Sequence, residues 1–305
     1  MRSNIPFALI LLACVPAAAG VYPDAAGQPG TTAIHKNSPD FVNWAGSHSH
    51  YQPGTGVETS WQIPAKAFGK ATGDNFDILC LGNGGSVTLI FPHPVCDGPG
   101  DDFAVFENGF ATFNGDFLEL AFVEVSSDGA NFFRFPANSL TPGPRGALGA
   151  IDPTEIDGFA GKYLLSYGTP FDLASLPPSP ALDKQNVRFI RLVDIIGDGG
   201  TKDSAGRPIY DPTPTTGSGG FDLEAVGVIH QNTTAPKVLA SGLTGQGFLL
   251  RWEANPGSTY QIMESTDLEF WQPAATLTAP VTATTAGILL PTGNAPAKYW
   301  KIGRM

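Results

Sequence analysis

Basic residues and cysteine are both scarce in this 305-residue chain. Seventeen Lys and Arg stand against 28 Asp and Glu, a formal net charge of −11. That balance repels a polyanion and argues against a nucleic-acid partner. Charged residues of both signs make up only 15% of the chain, against about 25% in an ordinary soluble domain. No apolar run is long enough for a transmembrane helix, and no fixed-period repeat suggests a propeller or solenoid. Catalytic signatures are missing too: there is no G-x-S-x-G, no H-E-x-x-H and no Cys–His nucleophile context. "GNGGS" (82–86) runs into a strand rather than a helix, which rejects a phosphate loop. His48 and His50 in "HSH" form a close pair without a third ligand at helpful spacing, and a polar loop is their expected home. The chain therefore reads as non-enzymatic.

Turn formers and β-formers are plentiful. The sequence holds 37 Gly, 27 Pro and 20 Phe, the composition of many short strands joined by tight turns. The first twenty residues, "MRSNIPFALILLACVPAAAG", have the form of a signal peptide: a positive start at Arg2, a short apolar stretch and a small-residue cleavage zone. "LLAC" ending at Cys14 also has the form of a lipobox, so release by cleavage and retention through a lipid on Cys14 both stand as expectations. Either way the protein is exported, to the periplasm, cell surface or medium. Export leaves Cys80 and Cys96, expected as a disulfide in an oxidising compartment, with two buried free thiols as the alternative.

Residues 21–60 are Gly-, Pro-, His- and Asn-rich and read as an N-terminal arm laid over the domain. Strand signals then follow over 61–230: "SVTLIF" (86–91), "DFAVFE" (102–107), "FLELAFVEVSSDGANFFRFP" (117–136) as a hairpin turning at Ser127-Asp128-Gly129, "VRFIRLVDII" (187–196) and "FDLEAVGVI" (221–229). Residues 137–186 show little strand character beyond a possible short helix near Phe171–Leu176. Residues 197–220 read as a long loop, a length that points to function or ligand stabilisation. A linker at 231–237 leads to 238–305, whose evenly spaced short strands predict a small sandwich. In "FLELAFVEV" both faces are apolar with one carboxylate on each; Glu119 is mid-strand and open to burial, and Glu124 sits near the solvated hairpin end. A buried carboxylate needs a cation, Arg or metal. Asp222 and Glu224 fall two apart, on one strand face, and Asp194 points opposite to Arg191.

The stretch "VCDGPGDDFAVFENGF" (95–110) concentrates acids and glycines. Calcium takes six to eight oxygens from carboxylates, amides and carbonyls, and glycines let a loop curl around it. Asp97, Asp101 and Asp102 supply such oxygens, with Glu107 and Asn108 at the far end of the strand. Asp194, Asp198, Asp203 and Asp211 fill a second loop, and Asp222 and Glu224 a third position. The spacing is not that of an EF-hand. Structural calcium, solvated Asx turns and a carboxylate pair for glycoside hydrolysis drawn from Glu107, Glu119 and Asp222 are the three readings. Asn232-Thr-Thr matches a glycosylation sequon. Trp44, Tyr51, Trp61 and Tyr210 are candidate platforms for a sugar ring.

Taken in order, "LGNGGSVTLIF", "DGPGDDFAVFENGF", "VEVSSDGANFFRFP", "AGKYLLSYGTPFDLA", "VRFIRLVDIIGDGGTKDSAGRPIYDP" and "GSGGFDLEAVGVIH" resemble a family of exported bacterial cell-surface proteins. Within it, the run from "VEVSSDGANFFRF" to "FDLEAVGVI" is similar to the discoidin-type, galactose-binding-like jelly roll. The resemblance implies an all-β fold: an antiparallel jelly-roll β-sandwich with long loops, a structural calcium near its first and last strands and ligand loops at one end. Carried over, Asp97, Asp101, Asp102, Asp222 and Glu224 are the expected metal ligands. The C-terminal part resembles a small sandwich module of the same proteins, which places Trp252, Tyr260, Trp271 and Tyr299 in its core. Relatives with a sorting tail differ from this sequence at Arg304-Met305, so the expectation is a protein free in the exported space or held by Cys14. The function these features imply is a calcium-stabilised module that binds an extracellular or cell-wall glycan, or a structural, adhesive surface protein without a small ligand.

Overall fold

A computed structural model describes residues 20–293 and 297–304. The leader and Cys14 lie outside the described residues. The chain enters with β1 (Ile34–His35), β2 (Asn43–Trp44), β3 (Ser47–Gln52) and β4 (Leu79–Cys80), then runs through the long β5 (Ser86–Val95) and β6 (Phe103–Glu107). A small hairpin of β7 (Phe110–Thr112) and β8 (Gly115–Phe117) precedes β9 (Ala121–Ser126) and β10 (Phe133–Arg134). The pair β11 (Asn138–Ser139) and β12 (Ile156–Asp157) is followed by β13 (Tyr167–Phe171) and β14 (Val187–Asp194). The hairpin β15 (Asp198–Lys202) and β16 (Pro208–Tyr210) leads to β17 (Asp222–Val228).

These strands build the expected antiparallel sandwich. One sheet has the order β1-β13-β6-β17-β2, with β4 also on β17; the other has the order β10-β9-β14-β5-β3. From β5 to β17 the long strands alternate between the two sheets, as the strands of a jelly roll wind. Strand parity assigns the core. Phe103 and Val105 point between the sheets, whereas Ala104 and Phe106 point outward onto Phe41 and Trp44. On the other sheet Ala121, Val123 and Val125 face inward, and Phe122 faces an outer cluster with Leu120, Phe159 and Ile209. Both outer faces are thus covered by long loops, which is why β6, β9 and β17 are buried along their whole length. Phe103, Phe135 and Phe171 stack at the centre, with centroids 5.0–5.8 Å apart.

Three expectations change here. Residues 34–52 are not an overlying arm: β1 and β2 close the first sheet and β3 edges the second. The segment 137–186 contributes β13, which pairs with β6 although its sequence, "YGTPF", holds Gly and Pro. Gly168 is required there because a Cβ would meet the Phe106 ring at 2.8 Å. "FLELAFVEV" is two strands, broken at Leu118–Leu120, and the break turns Glu119 out of the ladder.

A second unit follows, with β18 (Val238–Thr244), β19 (Gly247–Glu253), β20 (Thr259–Ser265), β21 (Gln272–Thr278), β22 (Thr285–Leu290) and β23 (Tyr299–Arg304) in two three-stranded sheets. Trp252 and Tyr260 meet edge-to-face at 5.5 Å in its core. Tyr299 is exposed and Trp271 half-buried, against expectation; Trp300, stacked on Phe248, fills the core instead. The unit rests on the second half of β5. Asn255 donates to Phe91 O, Ser258 Oγ to Pro92 O at 3.1 Å, and Arg304 reaches Pro92 O and His93. Arg188 of β14 binds Thr284 O at 3.0 Å and Glu253 at 3.4 Å.

Candidate functional site

The β6–β17 ladder sorts the predicted ligands into two groups. Phe103 pairs with Val228 at one end and Glu107 with Leu223 at the other, roughly 15 Å apart at the rise of a strand. Asp97, Asp101 and Asp102 lie at the first end and Asp222 at the second, so the five expected metal ligands do not form one constellation.

At the first end, oxygens of Asp97, Asp102 and Asp172 come within 4.8 Å of one another. Asp102 is fully buried and fully engaged. Its Oδ1 accepts from Gly98 N at 2.7 Å and meets His230 Nδ1 at 2.9 Å, and its Oδ2 accepts from Leu173 N at 2.7 Å. Burial raises its pKa, and the two N–H groups and His230 pull it back. Asp172 caps a short 3-10 turn through Ala174 N at 2.7 Å. Asp101 is half-buried beside Asp172 and Asp102. At this end Asp102 and Asp172 are answered by donors within the protein, and Asp97, Asp102 and Asp172 lie close enough together to share a cation.

At the second end a cavity of about 510 Å³ opens. Trp61 and Phe76 stack on one wall with centroids 6.4 Å apart, and Phe110 and Phe117 stack on another at 4.8 Å. Leu148 and the loop Pro214–Ser218 complete the walls, and the polar residues lining the space include Glu119, Asp222, Asn108, Thr215 and Ser218. Glu119 arrives through the break between β8 and β9; Asp222 begins β17 opposite Cys80. Glu107 ends β6, with its Oε2 accepting from Gly109 N at 2.7 Å. Asn108 Nδ2 donates to Asn75 O at 3.1 Å and to Asp222 Oδ2 at 3.3 Å. Asp211 lies behind, its Oδ2 taking Leu120 N at 2.6 Å. Asp194 ties the loops together through Gly84 N and Phe221 N, both at 2.7 Å.

Burial and mutual repulsion push these acids upward. Desolvation, then Asp222, raises Glu107 and Glu119 well above the ordinary carboxylate range. Desolvation lifts Asp222 to about 7, against hydrogen bonds from Cys80, Asn108 and Ser218. Such shifts concentrate where protons, cations or polar ligands are handled.

Other expected residues fall outside the cavity. A bulge between Leu223 and Ala225 displaces Glu224 from its partner strand; the carboxylate accepts from Gly73 N, close to Lys36, and does not line the space. Of the four aromatic candidates, Trp61 alone lines it. Trp44 packs on Phe41 and Phe106, Tyr51 donates to Cys80 O at 2.8 Å, and Tyr210 lies against Gly199. Glu124, expected near solvent, is buried between Arg134 and Arg191 at 2.8 and 2.5 Å. The expected Cys80–Cys96 bridge is corrected: both thiols are free. Cys80 pairs with Asp222, and Cys96 N bonds His230 O at the opposite end of the same strand, far beyond the Cα separation of about 7 Å that a disulfide tolerates. Phe76, Phe110, Phe117, Leu148 and the Pro214–Ser218 loop were not legible as walls; the uncommon repeat of Phe across "ENGFATFNGDF" was the available signal.

No family model, no curated protein and no solved structure matches the chain.

Proposed function

We propose that this protein is an exported, non-enzymatic binding module that takes a glycan in the Trp61–Asp222 cavity. The observation that carries the reading is the pairing of stacked aromatic walls with inward carboxylate, amide and hydroxyl groups in one open space. A sugar ring offers an apolar face to an aromatic ring and hydroxyls to fixed acceptors. The cavity volume falls within the range of about 300–1,000 Å³ of small-molecule sites. Export rests on the signal-peptide form of residues 1–20 and on the resemblance to surface proteins. Screening the full chain on a glycan array, followed by calorimetry on the retained sugar, tests the reading. Trp61→Ala should weaken binding at least about tenfold; a retained sugar that ignores Trp61→Ala, or an array that retains nothing, overturns it.

One observation favours a second reading. Asp222 at about 7 and Glu119, raised well above the ordinary carboxylate range by burial, face the same open space, two carboxyl groups of the kind glycoside hydrolysis uses. Release of reducing ends from the bound glycan, abolished by Asp222→Asn without loss of binding, would replace the module by a hydrolase.

A further inference from the structure

At Glu124 the chain shows how it pairs a buried carboxylate. Arg134 binds Glu124 at 2.8 Å and holds its guanidinium carbon 3.9 Å from the centroid of Phe122. Arg191 binds the same carboxylate at 2.5 Å and lies 3.7 Å over Phe132. Each cation is held twice, by a carboxylate and by a ring face.

The cavity repeats two parts of that arrangement and lacks the third. Glu119 and Asp222 line it, each 3% exposed, beside Trp61, Phe76, Phe110 and Phe117. Among the described residues no Lys, Arg or His lines the space, and no cation of the chain lies over any of these four rings. Asp222 Oδ1 accepts no hydrogen bond, and a buried carboxylate oxygen without a donor costs folding free energy. Behind the lining, Glu107 and Asp211 add their repulsion to that of Asp222 on Glu119. Burial and this repulsion both disfavour ionisation of the two lining acids, and a cation entering the space would offset both.

Geometry decides the kind of cation. Among the described residues, Asp97, Asp102 and Asp172 are the acids whose oxygens converge closely enough for a metal ion, and the cavity acids are not part of that group. A space of about 510 Å³ with aromatic walls instead suits an organic cation, which carries a carbon skeleton to cover the rings and an ammonium to meet the carboxylates.

We propose that the cavity selects a ligand bearing a protonated amine, with the ammonium on Asp222 and Glu119 and the carbon skeleton against the aromatic walls. Insofar as the ligand is a sugar, the inference rests on the glycan reading and narrows it to an amino sugar whose nitrogen is free rather than acetylated.

The test is calorimetry on the full chain near neutral pH with β-linked oligomers of glucosamine, of N-acetylglucosamine and of glucose. Glucosamine oligomers should bind at least about tenfold more tightly than the other two, the worth of a charge-assisted hydrogen bond. Asp222→Asn keeps an acceptor for Asn108 and should erase most of that preference; if it does not fold, Glu119→Gln replaces it with the same expectation. Trp61→Ala should weaken all three oligomers alike. Cyclohexylammonium and cyclohexanol, compared by ligand-observed NMR, separate the amine from the sugar, and the ammonium alone should show Asp222-dependent binding. Equal binding of the three oligomers overturns this inference and leaves the glycan reading standing. Asp222-dependent binding of cyclohexylammonium with no oligomer bound supports the ammonium site and overturns the glycan reading. A preference for the amine that survives both Asp222→Asn and Glu119→Gln is attraction to the acidic chain at large and overturns the assignment, as does a chain that binds none of the probes.

Discussion

The two ends of the β6–β17 ladder carry similar acids and satisfy them in opposite ways. At the Phe103 end, Asp102 is surrounded by donors that the chain itself supplies. At the Glu107 end, Glu119 and Asp222 face an open cavity while Glu107 is buried outside its lining, and one oxygen each of Glu107 and Asp222 has no hydrogen-bond partner. Acidity and glycine content are the same signal at both ends, so density of Asp and Gly does not distinguish acids that the backbone satisfies from acids that it leaves unanswered. The distinction lies in where backbone N–H groups point, and that is decided by tertiary closure.

The comparison breaks most readily at Asp102. Asp102→Ala strands Gly98 N, Leu173 N and His230 at once, and should cost about 3 kcal/mol or more in urea unfolding, with or without calcium. The far end should respond with the opposite sign. Glu107→Gln keeps an acceptor for Gly109 N while removing a buried ionisable group that desolvation disfavours, so it should be neutral or stabilising by about 1 kcal/mol.

A smaller effect lies in pH. Burial holds Asp194 at about 6 despite two N–H donors, above the about 3.9 of the unfolded chain. The folded state keeps this proton longer, so its contribution is complete below pH about 4 and is lost as pH rises to about 6. Asp194→Asn should flatten the slope of unfolding free energy across that window; an unchanged slope would assign it to other groups. The smallest effect expected is none: dithiothreitol should not move the melting midpoint, and Cys80 and Cys96 should both alkylate in denaturant without reductant.

The alternation of Phe103, Ala104, Val105 and Phe106, and of Ala121 through Val125, was legible in the sequence because period 2 is a local property. So were the two-unit organisation and the strand at Asp222. β13 was not legible: Gly168 and Pro170 contradict strand propensity, and its place is fixed by packing on Phe106. Glu107, Glu119 and Asp222 were legible as a set of acids, whereas the arrival of Glu119 beside Asp222 in the cavity needs a break at Leu118–Leu120 that no local signal announces. Asp222 and Glu224 share a face by counting, and the bulge between Leu223 and Ala225 undoes the count. Tyr299 and Trp300 exchanged roles for a related reason, a one-residue difference in register.

The second unit is seated on Phe91, Pro92 and His93, the continuation of a strand whose first half is hydrogen-bonded between β14 and β3. Force applied to the C-terminal unit would therefore travel lengthwise into the second sheet, one strand in from its edge. There it would meet many hydrogen bonds in shear, while Arg188 holds Thr284 and Glu253 as a cross-tie. Loading in shear resists peeling, so the cavity would keep its shape while the molecule is pulled from its C-terminal unit.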